Sequence, residues 1–247
     1  IWAIYYFTSK FSGMKLYVKN LKLNFEKIKS IASLGSAPFA IQMGASIVNY
    51  TYNSTLKIYG GDAGIGAMAI VQAVITFISM PIFGINQGLQ PILGYNYGAR
   101  LYPRVKEALF KAIFAATVLC VIDFLAIQFL SKYFINIFTQ EKELVRIASV
   151  GLKIQTFMLP IVGFQIIASI YFQAIGKPKM SFFMSLTRQI IVLIPCILIM
   201  SKLFGVKGIW FAGPTADFIA TVLTFIFIKM ELKHLKELEE GMKKENI

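Results

Sequence analysis

The sequence predicts an all-α membrane protein, a bundle of six transmembrane helices with amphipathic segments at both ends. Of its 247 residues, 57% are hydrophobic and 15% are charged. This balance is extreme for a water-soluble chain and ordinary for a polytopic membrane protein. The charges lie between the apolar runs, and none occurs between Asp62 and Arg100. Basic residues scattered in this way argue against a nucleic-acid-binding face, so no nucleic-acid partner is expected.

Three regions follow one another along the chain. Residues 1–30 begin with the apolar run IWAIYYF and continue as a basic amphipathic segment. The run is too short to cross a bilayer, which requires about 20 residues. We therefore expect it to end a truncated span, so that the chain is a fragment, and we expect the basic segment to lie on the membrane surface. Residues 31–228 hold the apolar runs, and residues 229–247 have the charge pattern of a solvated amphipathic helix.

The first span, at about residues 31–56, carries a polar stripe. Gln42, Ser46, Asn49 and Asn53 recur at steps of four, three and four residues. This spacing places them on one helical face. Such side chains either hydrogen-bond to a neighbouring helix or line a cavity. We favour the cavity because the second span repeats the arrangement.

Two further spans carry similar stripes. In the second span, at about residues 64–93, the candidates for the cavity wall are Gln72, Ser79, Phe83, Asn86, Gln87 and Gln90. In the fourth span, at about residues 148–175, Gln165 and Ser169 are the corresponding candidates. Together the three stripes predict a cavity lined by amides, hydroxyls and an aromatic ring.

The second span ends in the motif MPIFGINQGLQPILGYNYGAR, at residues 80–100. Proline frees a helical carbonyl group, and paired glycines let a neighbouring helix approach closely. The candidates for helix breaking and close helix contact are Pro81, Gly84, Gly88, Pro91, Gly94 and Gly98. We predict a broken helix at the centre of a transport lobe. A kinked helix that serves only to pack is the alternative.

Ionisable residues within spans are functional candidates, because the bilayer makes them costly. Asp217 is expected near mid-depth, and Arg188 lies at a shallower level from which its long side chain can reach Asp217. We predict an intramembrane ion pair between them. Asp123 is expected near the outer interface, where solvation is easier. The remaining spans are expected at about residues 105–130, 180–203 and 208–228.

The distribution of basic residues predicts the orientation of the chain. The segments before span one, between spans two and three, around residues 177–188 and after span six hold 18 of the 25 basic residues. The positive-inside rule places these segments in the cytoplasm. Both ends are therefore expected to be cytoplasmic.

Enzymatic chemistry has little support in the composition. The single histidine, His234, lies in the tail, so no span offers a histidine-based triad or a zinc pair. The two cysteines, Cys120 and Cys196, lie in separate apolar runs. The sequence contains no Walker loop. We expect no catalytic residue, metal or cofactor.

The motif at residues 80–100 and several other stretches resemble the multidrug and toxic-compound extrusion (MATE) transporters, and most closely their bacterial multidrug-efflux branch. The other stretches are SAPFAIQMGASIVNYTYNSTLKIYGGD (36–62), YFQAIGKPKMS (171–181), SLTRQIIVLIP (185–195) and GIWFAGPTAD (208–217). The resemblance implies that the chain is the carboxy-terminal six-helix lobe of a twelve-helix transporter. It also implies a bacterial plasma membrane location and an amino-terminal lobe as partner.

The resemblance further implies secondary active export of amphipathic organic cations, coupled to entry of H⁺ or Na⁺. Some family members carry a cation-binding carboxylate on the first and fourth spans of this lobe. Here those regions offer Ser46 and Gln165 and no acid. We therefore expect the coupling acid in the missing amino-terminal lobe and a neutral cavity wall in this one.

Two rival functions remain open at this stage. A lipid-linked oligosaccharide flippase has a related architecture, but it would bring more cationic side chains into the cavity than Arg188 alone. A membrane-embedded enzyme would require paired catalytic residues within the spans.

Overall fold

The computed structural model describes residues 2–8 and 24–245, and all the regular structure within these ranges is helical. The chain divides into two compact units, residues 1–40 and residues 41–247. The first unit contains helix α1 (Trp2–Thr8) and the beginning of α2, where the Asn24 side chain accepts a hydrogen bond from the Lys27 amide at 3.1 Å. Most of the predicted basic segment, residues 9–23, lies outside the described residues. The following paragraphs concern the second unit.

Helix α2 (Phe25–Gly98) consists of two helical passes that meet at Gly61. Gly61 has a φ of 61° and a ψ of −161°, a conformation that requires glycine. A Cβ at Gly64 would lie 3.9 Å from the backbone oxygen of Leu56. Residues eight apart on a straight helix are separated by about 12 Å. The chain therefore folds back at Gly61, between the spans predicted at about residues 31–56 and 64–93.

The second pass of α2 does not break within residues 80–100, which corrects the sequence prediction. The helix continues through Pro81 and Pro91 to Gly98. Both prolines are exposed, so their missing hydrogen bonds fall on a side of the helix that the rest of the lobe leaves uncovered. The opposite side is anchored in the core by Ile82, Leu89 and Leu93.

Among the described residues, the sharp bend between two helices lies in the fourth span. Helix α3 (Tyr102–Asn136) is followed by α4 (Lys142–Gln155) and α5 (Leu159–Ala174), and α4 and α5 are bent by 58° relative to each other. Pro160 lies in the first turn of α5, where proline fits without losing a helical hydrogen bond. The bend lies at Thr156–Met158 and divides the span into an amphipathic half and an apolar half.

The last two passes are connected by a tight turn at Gly205, which has a φ of 59°. Helix α6 (Pro178–Leu186) continues through a π-helical stretch (Thr187–Leu193) into α7 (Ile194–Phe204). Helix α8 (Val206–Glu245) contains the sixth pass and the amphipathic tail.

Two ion pairs attach the tail to the ends of other passes. Both carboxylate oxygens of Glu231 lie 2.7 Å from the Lys177 ammonium group, which precedes α6. Glu239 accepts a hydrogen bond from Lys106 of α3 at 3.1 Å. The tail thus lies against the beginning of α3 and the end of α5.

The described residues form six helical passes that are candidates for membrane spans, the number that the sequence predicts. Four helical stretches are long and apolar enough to cross a membrane, and the bent α4–α5 pair is a fifth candidate. One of the four stretches, Gln42–Gly98 of α2, contributes two passes because the chain reverses at Gly61. One buried cluster joins both passes of α2 to α3, α4, α5, α7 and α8, and a second joins the end of α2 to α3, α5 and α8.

Candidate functional site

The polar stripe of the first pass faces away from the core of the lobe. Gln42, Ser46, Asn49 and Asn53 are all exposed. The apolar side of the same pass is buried and includes Val48, Tyr52 and Leu56. Ser46 donates a hydrogen bond to the Gln42 carbonyl at 3.0 Å, a contact within the helix that leaves the amide side chains unused. We call these four residues the first-pass stripe.

The second pass exposes a strip in which large side chains alternate with glycines. Phe83 and Gln87 are exposed, and they are interleaved with Gly84 and Gly88. A Cβ at either glycine would meet no atom of the lobe within 4 Å. The two glycines therefore mediate no helix contact among the described residues, and they leave room for a further surface. Phe83, Gly84, Gln87 and Gly88 form the second-pass strip.

Other residues predicted for the cavity wall lie deeper. Gln72 and Ser79 are half-buried; Gln72 donates to the Met68 sulfur at 3.7 Å, and Ser79 to the Ile75 carbonyl at 2.7 Å. Gln90 is half-buried as well. Asn86 is buried, and its Oδ1 has no hydrogen-bond partner among the described residues.

The stripe of the fourth span is inside the lobe. Gln165 is 8% exposed, and its Oε1 has no hydrogen-bond partner in the described part of the chain. Ser169 shares a hydrogen bond of 3.1 Å with Ser181 of α6. In this conformation neither side chain contributes to the exposed wall.

Among the predicted contact glycines, Gly94 makes a close helix approach. A Cβ at Gly94 would lie 3.3 Å from the backbone oxygen of Ala174, at the end of α5. At Gly98, by contrast, an added Cβ would meet nothing within 4 Å. The glycine-rich motif therefore serves the interior of the lobe at one position only.

The structure brings Arg188 and Asp217 together. Nε and Nη2 of Arg188 both lie 2.6 Å from Oδ1 of Asp217. The Asp217 side chain is 10% exposed and the Arg188 side chain 36%. The Tyr52 hydroxyl, buried beside this pair, hydrogen-bonds to Gln155. The pair joins the π-helical stretch of the fifth pass to the middle of the sixth.

Asp123, the other acid predicted within a span, stands apart from this pair. It is half-buried in α3 and has no hydrogen-bond or ion-pair partner among the described residues. No group of three or more histidine, cysteine or acidic residues suited to a metal ion occurs in the described part of the chain.

Comparison with known proteins establishes the family. The family model described as MatE matches residues 38–199, which is more than half of the chain. The chain belongs to the MatE family. The resemblance seen in the sequence is thereby confirmed.

Relatives of this MATE chain include proteins named for drug export. The multidrug export protein MepA of Staphylococcus aureus (strain bovine RF122 / ET3-1) is 23% identical over 228 residues, which are 92% of the chain and 50% of MepA. MepA of Staphylococcus haemolyticus (strain JCSC1435) is 22% identical over the same length. The chain thus spans about half the length of the curated relatives it matches.

Solved structures share the fold. An inward-facing MATE transporter of the MOP superfamily superposes with a TM-score of 0.84 at 19% identity, covering 95% of the chain and 55% of that structure. The MATE multidrug transporter DinF-BH, solved in complex with a ligand, has a TM-score of 0.76 at 33% identity, with coverage of 93% and 51%. The chain is a multi-pass membrane protein with the fold of one half of these transporters.

The sequence pattern did not single out two residues of this MATE chain that lie near the ion pair, Gln155 and Tyr52. Gln155 ends α4 at the bend, and a Cβ at Gly213 of α8 would lie 3.3 Å from its Oε1. Tyr52 shares the first pass with the exposed stripe but points to the opposite side. A signal was available for Gln155, because polar residues shortly before Pro160 are typical of a helix end.

Proposed function

We propose that the chain is the carboxy-terminal lobe of a secondary active multidrug exporter and forms the neutral wall of its drug cavity. An amino-terminal lobe would supply the facing wall. The observation that carries this proposal is the exposed first-pass stripe, Gln42, Ser46, Asn49 and Asn53, together with the second-pass strip. The proposed location is the bacterial plasma membrane, with both ends of the chain in the cytoplasm.

An exposed amide stripe on a membrane helix needs a polar or protein environment. An amide without a hydrogen-bond partner in hydrocarbon costs several kcal/mol, about 2–7 depending on the reference state. Asn49 and Asn53 project from the lobe without partners in its described residues. A water-filled cavity against a second lobe satisfies both. The relatives of twice the length, among them proteins named for multidrug export, support this arrangement.

The chemistry of the wall suits an amphipathic organic cation. Phe83 offers an exposed ring for stacking and cation–π contact, and Gln87 and Asn49 offer adaptable hydrogen bonds. Neither the stripe nor the strip contains a charged residue. A lipid-linked oligosaccharide flippase is not proposed, because its phosphate-bearing substrate would be expected to require cations on this wall.

Export would be coupled to the entry of H⁺ or Na⁺ through an acid outside this lobe. Amides accept and donate hydrogen bonds but do not exchange protons near neutral pH. Asp217 is already committed to Arg188. Asp123 lies in α3, which carries neither the first-pass stripe nor the second-pass strip. The coupling carboxylate is therefore assigned to the amino-terminal lobe.

The wall is tested by changing its amides in the full-length exporter. Asn49→Leu and Gln87→Leu should change the relative efflux of different organic cations by about tenfold or less, since each removes one hydrogen bond worth about 0.5–1.5 kcal/mol. The measurement is the resistance profile of cells against several dyes and drugs. Gln173→Leu, at an exposed amide of α5, serves as the control and should leave the profile unchanged. An unchanged profile in both stripe variants would contradict the proposal.

A further inference from the structure

A cavity of about 520 Å³ lies between the end of α3 and the length of α4. It is separate from the first-pass stripe and from the ion pair in the lobe. Its lining includes Lys132 from α3 and Lys142, Arg146 and Lys153 from α4, with the polar Asn136 at its edge. The volume is within the range of small-molecule sites.

The cavity concentrates positive charge, and none of its lining residues is acidic. Lys142, Arg146 and Lys153 are spaced by four and seven residues, which places them on one face of α4. Within the described residues none of the four cations has an ion-pair partner. The neighbouring acids Glu141 and Glu143 are both exposed and do not line the cavity. Like charges at this spacing repel each other, so an anion bound among them is favourable.

These cations are also unusual in their position. Of the seven basic residues that the predicted orientation places outside the cytoplasm, four line this cavity. The positive-inside rule leaves few cations on that side of a membrane protein. Their convergence on one cavity therefore indicates a ligand more directly than a basic cluster on the cytoplasmic side would.

The surface beside the cations is apolar and accessible. Phe129, three residues before Lys132, is 82% exposed. On α4, Val150 lines the cavity four residues after Arg146 and is exposed, and Phe157 beyond the end of the helix is 58% exposed. The Gln128 amide donates to the Lys153 carbonyl at 3.1 Å and holds α3 and α4 together at this level. A ligand for this site needs an anionic end and an apolar end.

We propose that the cavity binds the phosphodiester headgroup of an anionic phospholipid, with its acyl chains along Phe129 and Phe157. Lys142 and Arg146 contact the phosphate oxygens, and guanidinium and ammonium groups are the usual protein partners of such oxygens. In the proposed orientation this lipid belongs to the outer leaflet. The site does not depend on the identity of any exported drug, so failure of the efflux proposal leaves it intact.

The test uses the full chain purified in a zwitterionic detergent, with native mass spectrometry and thermal unfolding as measurements. Phosphatidylglycerol should bind and raise the Tm, and phosphatidylcholine should do so at least tenfold less well. The variant Lys142→Gln/Arg146→Gln should weaken phosphatidylglycerol binding at least tenfold. The matched control Lys202→Gln/Lys207→Gln removes two exposed cations outside the cavity and should bind the lipid as the natural chain does.

Each other outcome overturns the proposal. Equal weakening in the cavity variant and the control would indicate general charge attraction, which is screened by salt. Competition by glycerol phosphate at the same concentration as phosphatidylglycerol would assign the cavity to a soluble anion. Absence of phosphatidylglycerol binding by the natural chain would remove the site altogether.

If the cavity variant does not fold, Lys142→Arg/Arg146→Lys should retain lipid binding and Lys153→Gln should reduce it.

Discussion

Arg188 and Asp217 join the fifth and sixth passes through a single carboxylate oxygen. Asp217 also accepts a hydrogen bond on its backbone oxygen from the Thr221 hydroxyl at 2.7 Å, within α8. The carboxylate is largely removed from solvent, whereas the guanidinium group remains partly accessible. Removing one partner therefore leaves a poorly solvated charge on the other, and this penalty is larger than the net value of the pair.

Arg188→Gln should lower the free energy of unfolding by about 1–3 kcal/mol, below the usual range for fully buried pairs because Arg188 is partly exposed. The measurement is thermal unfolding of the chain in detergent. Replacing both partners, as Arg188→Met/Asp217→Leu, should recover most of the loss, since no charge remains unpaired. Glu107→Gln, which breaks an exposed pair with Lys111, is the control and should have no measurable effect. A double variant as unstable as the single one would contradict this account.

The partners of an ion pair could be predicted from the sequence where few ionisable residues were available. Arg188 and Asp217 were matched because few ionisable residues occur within the spans. The orientations of Asn86 and Gln165 could not be predicted in the same way. Both belong to the polar patterns of their spans, but the rotation of each helix about its axis depends on packing against the other passes. The structure turns both side chains inward.

At the scale of helices, the position of the broken span was the main error. Pro81 and Pro91 suggested a break in α2, yet the helix continues through both. A helix with a proline on its uncovered side loses one hydrogen bond there. No neighbouring element on that side forces the helix into a new direction. In the fourth span the bend precedes Pro160. Local sequence marks both sites as susceptible, and tertiary contacts decide which one bends.

Close contact between α4 and α8 depends on Gly151. A Cβ there would lie 2.7 Å from the buried ring of Trp210. Gly151→Ala should therefore lower the free energy of unfolding by about 1–3 kcal/mol, the usual effect of overpacking a core. Thermal unfolding measures the change. Gly88→Ala, at an exposed glycine with no atom nearby, should not destabilise the isolated chain; equal destabilisation by both substitutions would contradict the contact.

At the scale of the whole molecule, the orientation follows from the distribution of basic residues. We expect cysteines at Leu101 and Lys179 to be labelled from the cytoplasm, and cysteines at Asp62 and Glu141 from outside. All four positions are exposed at or near the ends of passes. The measurement is reaction with an impermeant thiol reagent in intact cells, in a background without the two native cysteines. Labelling of all four from outside would contradict the orientation.

The six passes could be predicted from hydropathy, and the family from a few motifs, because both depend on local sequence. The role of the exposed faces of the first and second passes could not be predicted in this way, because it rests on the proposed second lobe. Gly84 and Gly88 meet nothing within 4 Å in this lobe, although their spacing is typical of helix contact. We interpret these glycines as part of the surface that faces the second lobe.

The central claim is that this lobe forms a neutral cavity wall and leaves ion coupling to its partner lobe. The most direct test is drug-driven ion flux in vesicles that contain the full-length exporter with Asp123→Asn and, separately, with Arg188→Met/Asp217→Leu. Because neither acid lies on the exposed stripes, we predict that both variants exchange the same number of H⁺ or Na⁺ ions per drug molecule as the natural protein. Loss of the coupled ion flux in a variant that still folds and binds drug would contradict the claim.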